Sequence, residues 1–483
     1  MRTIGTPSTQ ARKLNAIASG ALPNGDPVVV NADGTVSVVA EISVSQSVGT
    51  PVQFSSSQDD WLSCTYDANA QKVVIVYKDD DNSNYGTAIV GTVSGTSISF
   101  GTQVVFESGS TKYTSCAYDA NAQKVVIAYS DSSNSSRGTA VVGTVSGTSI
   151  SFGTPVTFNS SSSTFYTSCA YDANAQKVVI SYRGVGSDGF AIVGTVSGTS
   201  ITFGSAVEFE TGNTNYTSAV YDASSQKIVI AYQDAGTGGY GTAIIGTVSG
   251  TSISFGSLVV FNAGNTVDIS TAYDANSQKV VISFSNDGNS LYGTAVVGTV
   301  SGTSISFGTA VVFSSSNSRF TSANYDSNAQ KVLISYQDVG NLSYPTAAVG
   351  TVSGTSISFG SPVVLDASGA VNHVPSVYDE ASKKIVIAYT DNPNNIGEAV
   401  VFQNAYTSAN LTAENYIGLS SNGYPDTAGA TIDVQGAIND RQSGLTAGQA
   451  YYVQTDGTLT TTAGDPSVFA GTAISATKMI VKG

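Results

Sequence analysis

Short segments of four to eight residues in which apolar and polar positions alternate run through most of the chain, each cut off by a cluster of Gly, Asn, Asp or Ser. A period of two marks half-buried β-strands bounded by turns. The pattern also repeats on a longer scale. The dipeptide Tyr-Asp recurs at Tyr66, Tyr118, Tyr171, Tyr221, Tyr273, Tyr325 and Tyr378, at spacings of 52, 53, 50, 52, 52 and 53 residues. A close copy of DANAQKVVIAY follows each, as at Asp119 to Tyr129. Then come a variable stretch, the run GTAVVGTVSGTSISFG and a piece such as TPVTF at Thr154 to Phe158.

Each repeat reads as four strands: A at Thr114 to Asp119, B at Lys124 to Tyr129, C at Thr139 to Val145 and D at Ser149 to Phe158. Four-stranded antiparallel units repeated around an axis predict an all-β fold, a β-propeller. Tyr-Asp occurs seven times, but GTVSGTSISFG occurs six times, once with Thr202 in place of its last Ser. The last unit runs out after strand C, near Glu398 to Phe402, while an orphan piece resembling strand D, Ile42 to Phe54, precedes the first unit. The expectation is a seven-bladed ring in which residues 42–54 complete the blade whose other strands lie near 371–403. An open solenoid would leave that half-unit with an unpaired edge.

Two residues before each Tyr stand Cys64, Cys116, Cys169, Ala219, Thr271, Ala323 and Ser376, all small enough for an innermost strand. The three Cys read as packing residues, too far apart for a disulfide. The Asp of each Tyr-Asp caps the A–B turn, and the Lys five residues on, as in Asp119 and Lys124, is expected to face it across the hairpin. Gly in VSGTS supplies positive φ to the C–D turn.

The A–B and C–D turns lie on one face of such a ring and hardly change between repeats. The B–C and D–A loops lie on the other face and differ throughout, as in KDDDNSNYG, SDSSNSSRG and RGVGSDG. Loops of this kind either carry specific contacts or are simply less constrained. Five residues before each Tyr lie Trp61, Tyr113, Tyr166, Tyr216, Asp268, Phe320 and His373. Before the opening of strand C lie Tyr85, Arg137, Asp188, Tyr240, Tyr292, Tyr344 and Ile396. Aromatic residues with polar tips suit a sugar or a protein surface, and equally suit wedging between blades. Alone, His373 reads as a loop packing residue.

Composition narrows the function. Of 483 residues 11% are charged, and Lys plus Arg (19) against Asp plus Glu (34) leaves a net charge of −15, which repels nucleic acid. A single His removes triads and His-rich zinc sites. Asp79 to Asn82 has a cation-binding composition but lacks the Gly and closing Glu of a calcium loop, so neither metal nor cofactor is expected. The propeller region holds only Arg137, Arg183 and Arg319 and no repeated Asp box, against a sialidase-like enzyme; a carboxylate pair for glycoside cleavage stands out in no unit. No apolar run spans a membrane, and the N-terminal stretch lacks the apolar core of a secretory signal. A non-enzymatic protein is expected.

The ends pair by pattern. Asn24 to Val39 and Ala447 to Thr462 both read as strand, Asp-Gly turn and strand. Residues 1–40 and 404–483 are therefore expected to form a small β domain beside the propeller of 41–403, with Arg2, Arg12 and Lys13 in a docking arm. The stretch Ala413 to Gly483, through its core GLTAGQAYYVQTDGTL and closing AGTAISAT, resembles a module at the C-termini of structural and tail-fibre-like proteins of marine tailed bacteriophages. The resemblance implies a virion component made in the host cytoplasm, homo-oligomeric in the particle, with other virion proteins as partners. Two roles follow. The variable face contacts a host glycan or protein, or the protein is a purely architectural decoration, collar or nozzle subunit. A secreted bacterial lectin is the third reading, weakened by the missing signal.

Overall fold

A computed structural model describes residues 12–161 and 163–482. The described residues are all-β apart from single 3₁₀ turns such as Ser132–Asn134, and the chain divides into two compact units, Gln46–Asn404 and Met1–Ser45 with Ala405–Gly483.

In the larger unit the repeat is built as its pattern requires. In the second copy Val104–Asp119, which contains strand A, pairs antiparallel with strand B, Lys124–Asp131. Strand B pairs with strand C, Arg137–Ser146. Strand C pairs with two short pieces, Ser149–Phe152 and Val156–Asn159, where one strand D was expected. Close approach explains the break. A Cβ on Gly153 would strike the carbonyl oxygen of Thr199 in the C–D turn of the next unit, so the strand bends around a residue that must be Gly. The same contact joins Gly49 to Thr96, Gly101 to Thr148, Gly204 to Thr251, Gly256 to Thr303 and Gly308 to Thr355.

Strand B is apolar on both faces. Val125 to Tyr129 are fully buried, because Val126 and Ala128 on one face pack with Val178, Ile180 and Tyr182 of the next sheet. A strand sandwiched between two sheets reads as a continuous apolar run. Each such Val or Ile contributes about 1.5–3 kcal/mol on burial.

The final sheet is completed from upstream. Ile396–Gln403 pairs with Ser47–Val48 and Val52–Ser55, in a register that sets Phe402 opposite Val48 and Ala399 opposite Val52. Thr390 Oγ1 also donates to the Asp59 carbonyl oxygen at 2.5 Å, and the Gly49–Thr96 contact lies on the same seam. The ring is closed. The expected strand is too long at its start, however: Glu41–Val44 pairs instead with Tyr406–Ala409. The last strand C has 8 residues where the others, like Arg137–Ser146, have up to 10; it stops at Gln403, so residues before Ser47 find no rung on it and pair with a separate strand.

The repeated small groups tie one unit to the next. The hydroxyl of Tyr118 accepts from the Asn69 N–H at 3.1 Å, and Tyr171 from Asn121 at 3.1 Å. Ser63, Ser115, Ser168, Ser218, Ser270 and Ser322 each accept, through Oγ, the backbone N–H of Cys116, Cys169, Ala219, Thr271, Ala323 and Ser376 in the following unit. Pro375 occupies the seventh such position. Cys64, Cys116 and Cys169 are free thiols.

Asp119 Oδ1 accepts from the Ala122 N–H at 2.9 Å, the expected turn cap, and Gly95 and Gly147 have φ of 59° and 62°. Asp119 and Lys124 face each other across the hairpin, as expected. Among the described residues they make no ion pair within 4.0 Å. The carboxylate is committed to its turn, and Lys124 bears electrostatically on Asp67 of the preceding unit.

The smaller unit holds two five-stranded sheets. One is ordered Lys13–Ile17, Gly429–Asp433, Tyr416–Ser420, Pro27–Val30, Val36–Val38, and the other Ile438–Asn439, Lys478–Val481, Val468–Ser475, Ala450–Val453, Leu459–Thr460. Val29, Leu419, Val453 and Met479 share its core. The two Asp-Gly turns match: Gly34 and Gly457 have φ of 82° and 84°, and Asp33 and Asp456 each cap the N–H two residues on. The expected arm is built into this unit. Lys13 begins a paired strand, 3.7 Å from Asp433, and Arg12 donates to the Gln435 carbonyl oxygen at 3.4 Å; Arg2 lies outside the described residues.

Candidate functional site

In every unit the A–B ladder slips by one residue at the same place. In the second copy Lys112 faces Ser130, but the next pair is Ser115 with Ala128. Two residues thus oppose one, a β-bulge, which re-aims a side chain. The residue at the slip has left-handed backbone in all seven copies: φ is 53° at Trp61, 52° at Tyr113, 50° at Tyr166, 49° at Tyr216, 52° at Asp268, 53° at Phe320 and 47° at His373. For a non-Gly residue this conformation costs about 1–2 kcal/mol. Glycine would relieve it and occurs in none of the copies. Strain retained at every unit indicates that the side chain at this position is wanted.

Those side chains converge. They line one cavity of about 260 Å³ at one end of the ring axis, floored by residues such as Thr114, Thr167, Thr217 and Thr321. Ring centroids lie 4.1 Å apart for Trp61 and Tyr113, 5.1 Å for Tyr113 and Tyr166, and 5.1 Å for Tyr166 and Tyr216. The series continues from Phe320 to His373 at 4.7 Å and from His373 to Trp61 at 5.7 Å. Asp268 fills the one gap between the aromatic neighbours. Burial raises its carboxyl pKa, opposed by Arg319, whose Nε is 3.4 Å from Oδ2. Burial likewise pushes Tyr216 up to about 12. Among the described residues the hydroxyls of Tyr113, Tyr166 and Tyr216 have no hydrogen-bond partner.

A second rank surrounds this belt, from residues that the sequence pattern did not single out. They stand one residue before the belt and at the end of strand B, paired as Asp60 with Lys78, Phe165 with Arg183, Asn215 with Gln233 and Arg319 with Gln337. His373 Nε2 is 3.4 Å from Asp60, and Lys78 is 3.1 Å from Asp60 and 2.9 Å from Asp80. The bond from His373 holds the Asp60 carboxyl down at about 2. Arg183 lies over the rings of Phe165 and Tyr166, 4.4 and 5.0 Å from their centroids. The available signal was a charge that changes sign from copy to copy at fixed distances from Tyr-Asp.

The other predicted set is elsewhere. Tyr85, Arg137, Tyr240, Tyr292, Tyr344 and Ile396 open strand C, opposite Asp79, Asp131, Asp234, Asn286, Asp338 and Asp391. Asp188 precedes strand C and accepts the Gly212 N–H at 2.8 Å. All are half-buried, and strand C is third from the axis, so none reaches the cavity. Of the twelve residues proposed for binding, six meet at the axis: Trp61, Tyr113, Tyr166, Tyr216, Phe320 and His373. Among the described residues no group of three or more His, Cys, Asp or Glu is placed to hold a metal.

No protein-family model matches the chain, and no curated protein matches its sequence. Solved structures do match in fold. The BP39L lectin from Burkholderia pseudomallei has a TM-score of 0.53 at 9% identity, over 72% of this chain and 98% of that one. The ring is a β-propeller. AofleA from Arthrobotrys oligospora matches at TM-score 0.41 and 10% identity, over 73% of this chain and 100% of the other. The Aleuria aurantia lectin, solved with Fucα1-6GlcNAc, matches at 0.41 and 14%, over 65% and 98%. At these identities the likeness concerns the propeller fold alone.

Proposed function

We propose that this protein is a non-enzymatic, glycan-binding propeller of seven blades, closed by residues 47–55, whose belt at the axis receives a sugar residue. One observation carries the reading: seven side chains, each held at positive φ, converge on a single cavity. Aromatic faces cover the apolar face of a sugar ring, and hydroxyls without internal partners are free to bind its oxygens. About 260 Å³ falls just below the roughly 300 Å³ at which drug-sized pockets begin, which suits one residue at the end of a saccharide. That BP39L, of the same fold, is by name a lectin agrees with this.

A second reading concerns location. The resemblance of Ala413 to Gly483 to a phage virion module favours a virion protein, attached through the smaller unit, that meets host glycans with its belt. The architectural alternative gives the same belt to another virion protein.

Glycan-array binding of the whole protein tests the function. Wild type is expected to bind a restricted set of glycans, and Tyr166→Ala with Tyr216→Ala to weaken that binding about ten-fold or more while the far-UV spectrum is unchanged. No binding by wild type, or binding indifferent to these substitutions, overturns the reading. Antibody labelling of purified phage particles tests the location, and unlabelled particles overturn it.

A further inference from the structure

We propose that the glycan is acidic, and that Arg183 receives its carboxylate beside the arc formed by Tyr113 and Tyr166. The inference rests on the glycan-binding reading and adds the class of sugar.

Charge bookkeeping around the mouth leaves two cations without a carboxylate, the exposed Lys112 and Arg183, and of these Arg183 is the one stacked on belt aromatics. Arg319 is 3.4 Å from Asp268, and Lys78 and His373 share Asp60. Arg183 meets no carboxylate within 4.0 Å among the described residues. Its partners are neutral amides: Nη1 donates to Asn213 Oδ1 at 3.3 Å and to Asn215 Oδ1. Its Nε–H is buried with no acceptor.

The side chain is also held in place. The guanidinium rests on Phe165 and Tyr166, and its amide contact begins a relay of one direction. Asn215 Nδ2 donates to Gln233 Oε1 at 2.7 Å, Gln233 Nε2 to Asn265 Oδ1 at 2.7 Å, and Asn265 Nδ2 to Asp287 Oδ2 at 2.6 Å. With Asp287 fixing the far end, each amide of the series turns its oxygen toward Arg183, which swings away only by giving up its bonds to Asn213 and Asn215. A stacked guanidinium with Nη1 committed to amides and Nε buried is pre-organised to present Nη2 to an anion.

Donors are in excess. The Tyr166 ring lies under this fork and Tyr113 feels its charge, and both hydroxyls lack internal partners, so an acceptor-rich ligand group completes the set. The corresponding position in the other units is Lys78, Ser130, Gln233, Ser285, Gln337 or Thr390, so the arrangement orients a ligand toward one blade. A net charge of −15 disfavours a long polyanion, which points to one carboxylate on an otherwise neutral saccharide.

The shared chemistry, a sugar carboxylate, comes from a uronic acid or from a sialic-type acid, so calorimetry on the full-length protein uses two arms. One compares cellobiouronic acid, which carries a single carboxylate, with cellobiose, the other sialyllactose with lactose. In one arm the acidic sugar is expected to bind about ten-fold or more tightly than its neutral counterpart, with a preference that shrinks in high salt. Arg183→Gln is expected to abolish the preference and Arg183→Lys to keep part of it. Neutral sugars bound as tightly as acidic ones, or a preference that survives Arg183→Gln, overturns the carboxylate and leaves the glycan reading standing. Binding of none of the four, with a blank array, overturns both.

Discussion

The Tyr66 hydroxyl accepts a hydrogen bond from the Ala381 N–H at 3.2 Å, although 315 positions separate the two residues. It is the same bond that Tyr118 makes with Asn69 and Tyr171 with Asn121, so the closing joint copies the internal ones. Tyr66→Phe and Tyr171→Phe are therefore expected to lower stability equally, by about 1 kcal/mol each, in urea titrations. A clearly smaller loss for Tyr66→Phe would mark the closing joint as already loose.

The bend in strand D gives a sharper contrast. Gly153→Ala drives a methyl into the Thr199 carbonyl oxygen and is expected to cost 1–3 kcal/mol or more. Gly360 occupies the same place one unit before the end, where the last unit has no C–D turn, and the nearest atom to its Cβ is the Val349 oxygen at 4.0 Å. Gly360→Ala is expected to leave the thermal midpoint almost unchanged. Equal losses at the two sites would show that the bend needs Gly for another reason.

Asp59 is fully buried where the other units place Thr111, Thr164, Thr214, Thr266, Ser318 and Val371. Ser57 and Ser55 donate to Oδ1, while Oδ2 has no partner, and burial raises the carboxyl to about 8. The folded value exceeds the ordinary one near 3.9, so the unfolded chain releases this proton first. Stability is then present below about pH 4 and declines as pH rises toward 8. Asp59→Asn removes that loss. The midpoint of the variant relative to wild type is expected to rise between pH 4 and pH 8; a constant difference would mean that Asp59 ionises normally.

Backbone strain at the belt reverses a familiar order. Glycine in a strand is ordinarily less stable than alanine by roughly 0.5–1 kcal/mol. At Tyr166, with φ of 50°, Tyr166→Gly is expected to be at least as stable as Tyr166→Ala, while both lose glycan binding. Calorimetric melting of the pair decides this. Alanine the more stable would argue that the bulge is unstrained.

Burial raises the Cys116 and Cys169 thiols to about 12 and Cys64 well above its usual value. Iodoacetamide at pH 8 is expected to modify them only after denaturant is added, because the thiolate is the nucleophile. Rapid labelling of the native protein would contradict the packing role.

Much of this was legible in the sequence because the information was local or repeated. The Asp119 turn cap, Gly147 in its turn and the incomplete last unit follow from spacing and turn chemistry. The bulge at Tyr113 did not show, since positive φ at a tyrosine contradicts its propensity and is imposed by the ladder around it. That slip turns Tyr113 and Tyr166 to the axis, whereas Tyr240 and Tyr292, which side-chain chemistry alone had grouped with them, open strand C away from it. The partner of Ile42 was hidden for another reason: it depends on where strand C of the last unit stops. Arg183 was present in a loop already seen to vary, but only the fold places it over Tyr166.

The larger unit begins and finishes on adjacent rungs, with Ser47 opposite Gln403 and Val48 opposite Phe402. A pull that separates its two leads is therefore concentrated on this pair and peels it rung by rung. The remaining joints, each crossed by an unbroken chain, are spared. Mechanical failure begins as an unzipping at Ser47 and passes next to Val48.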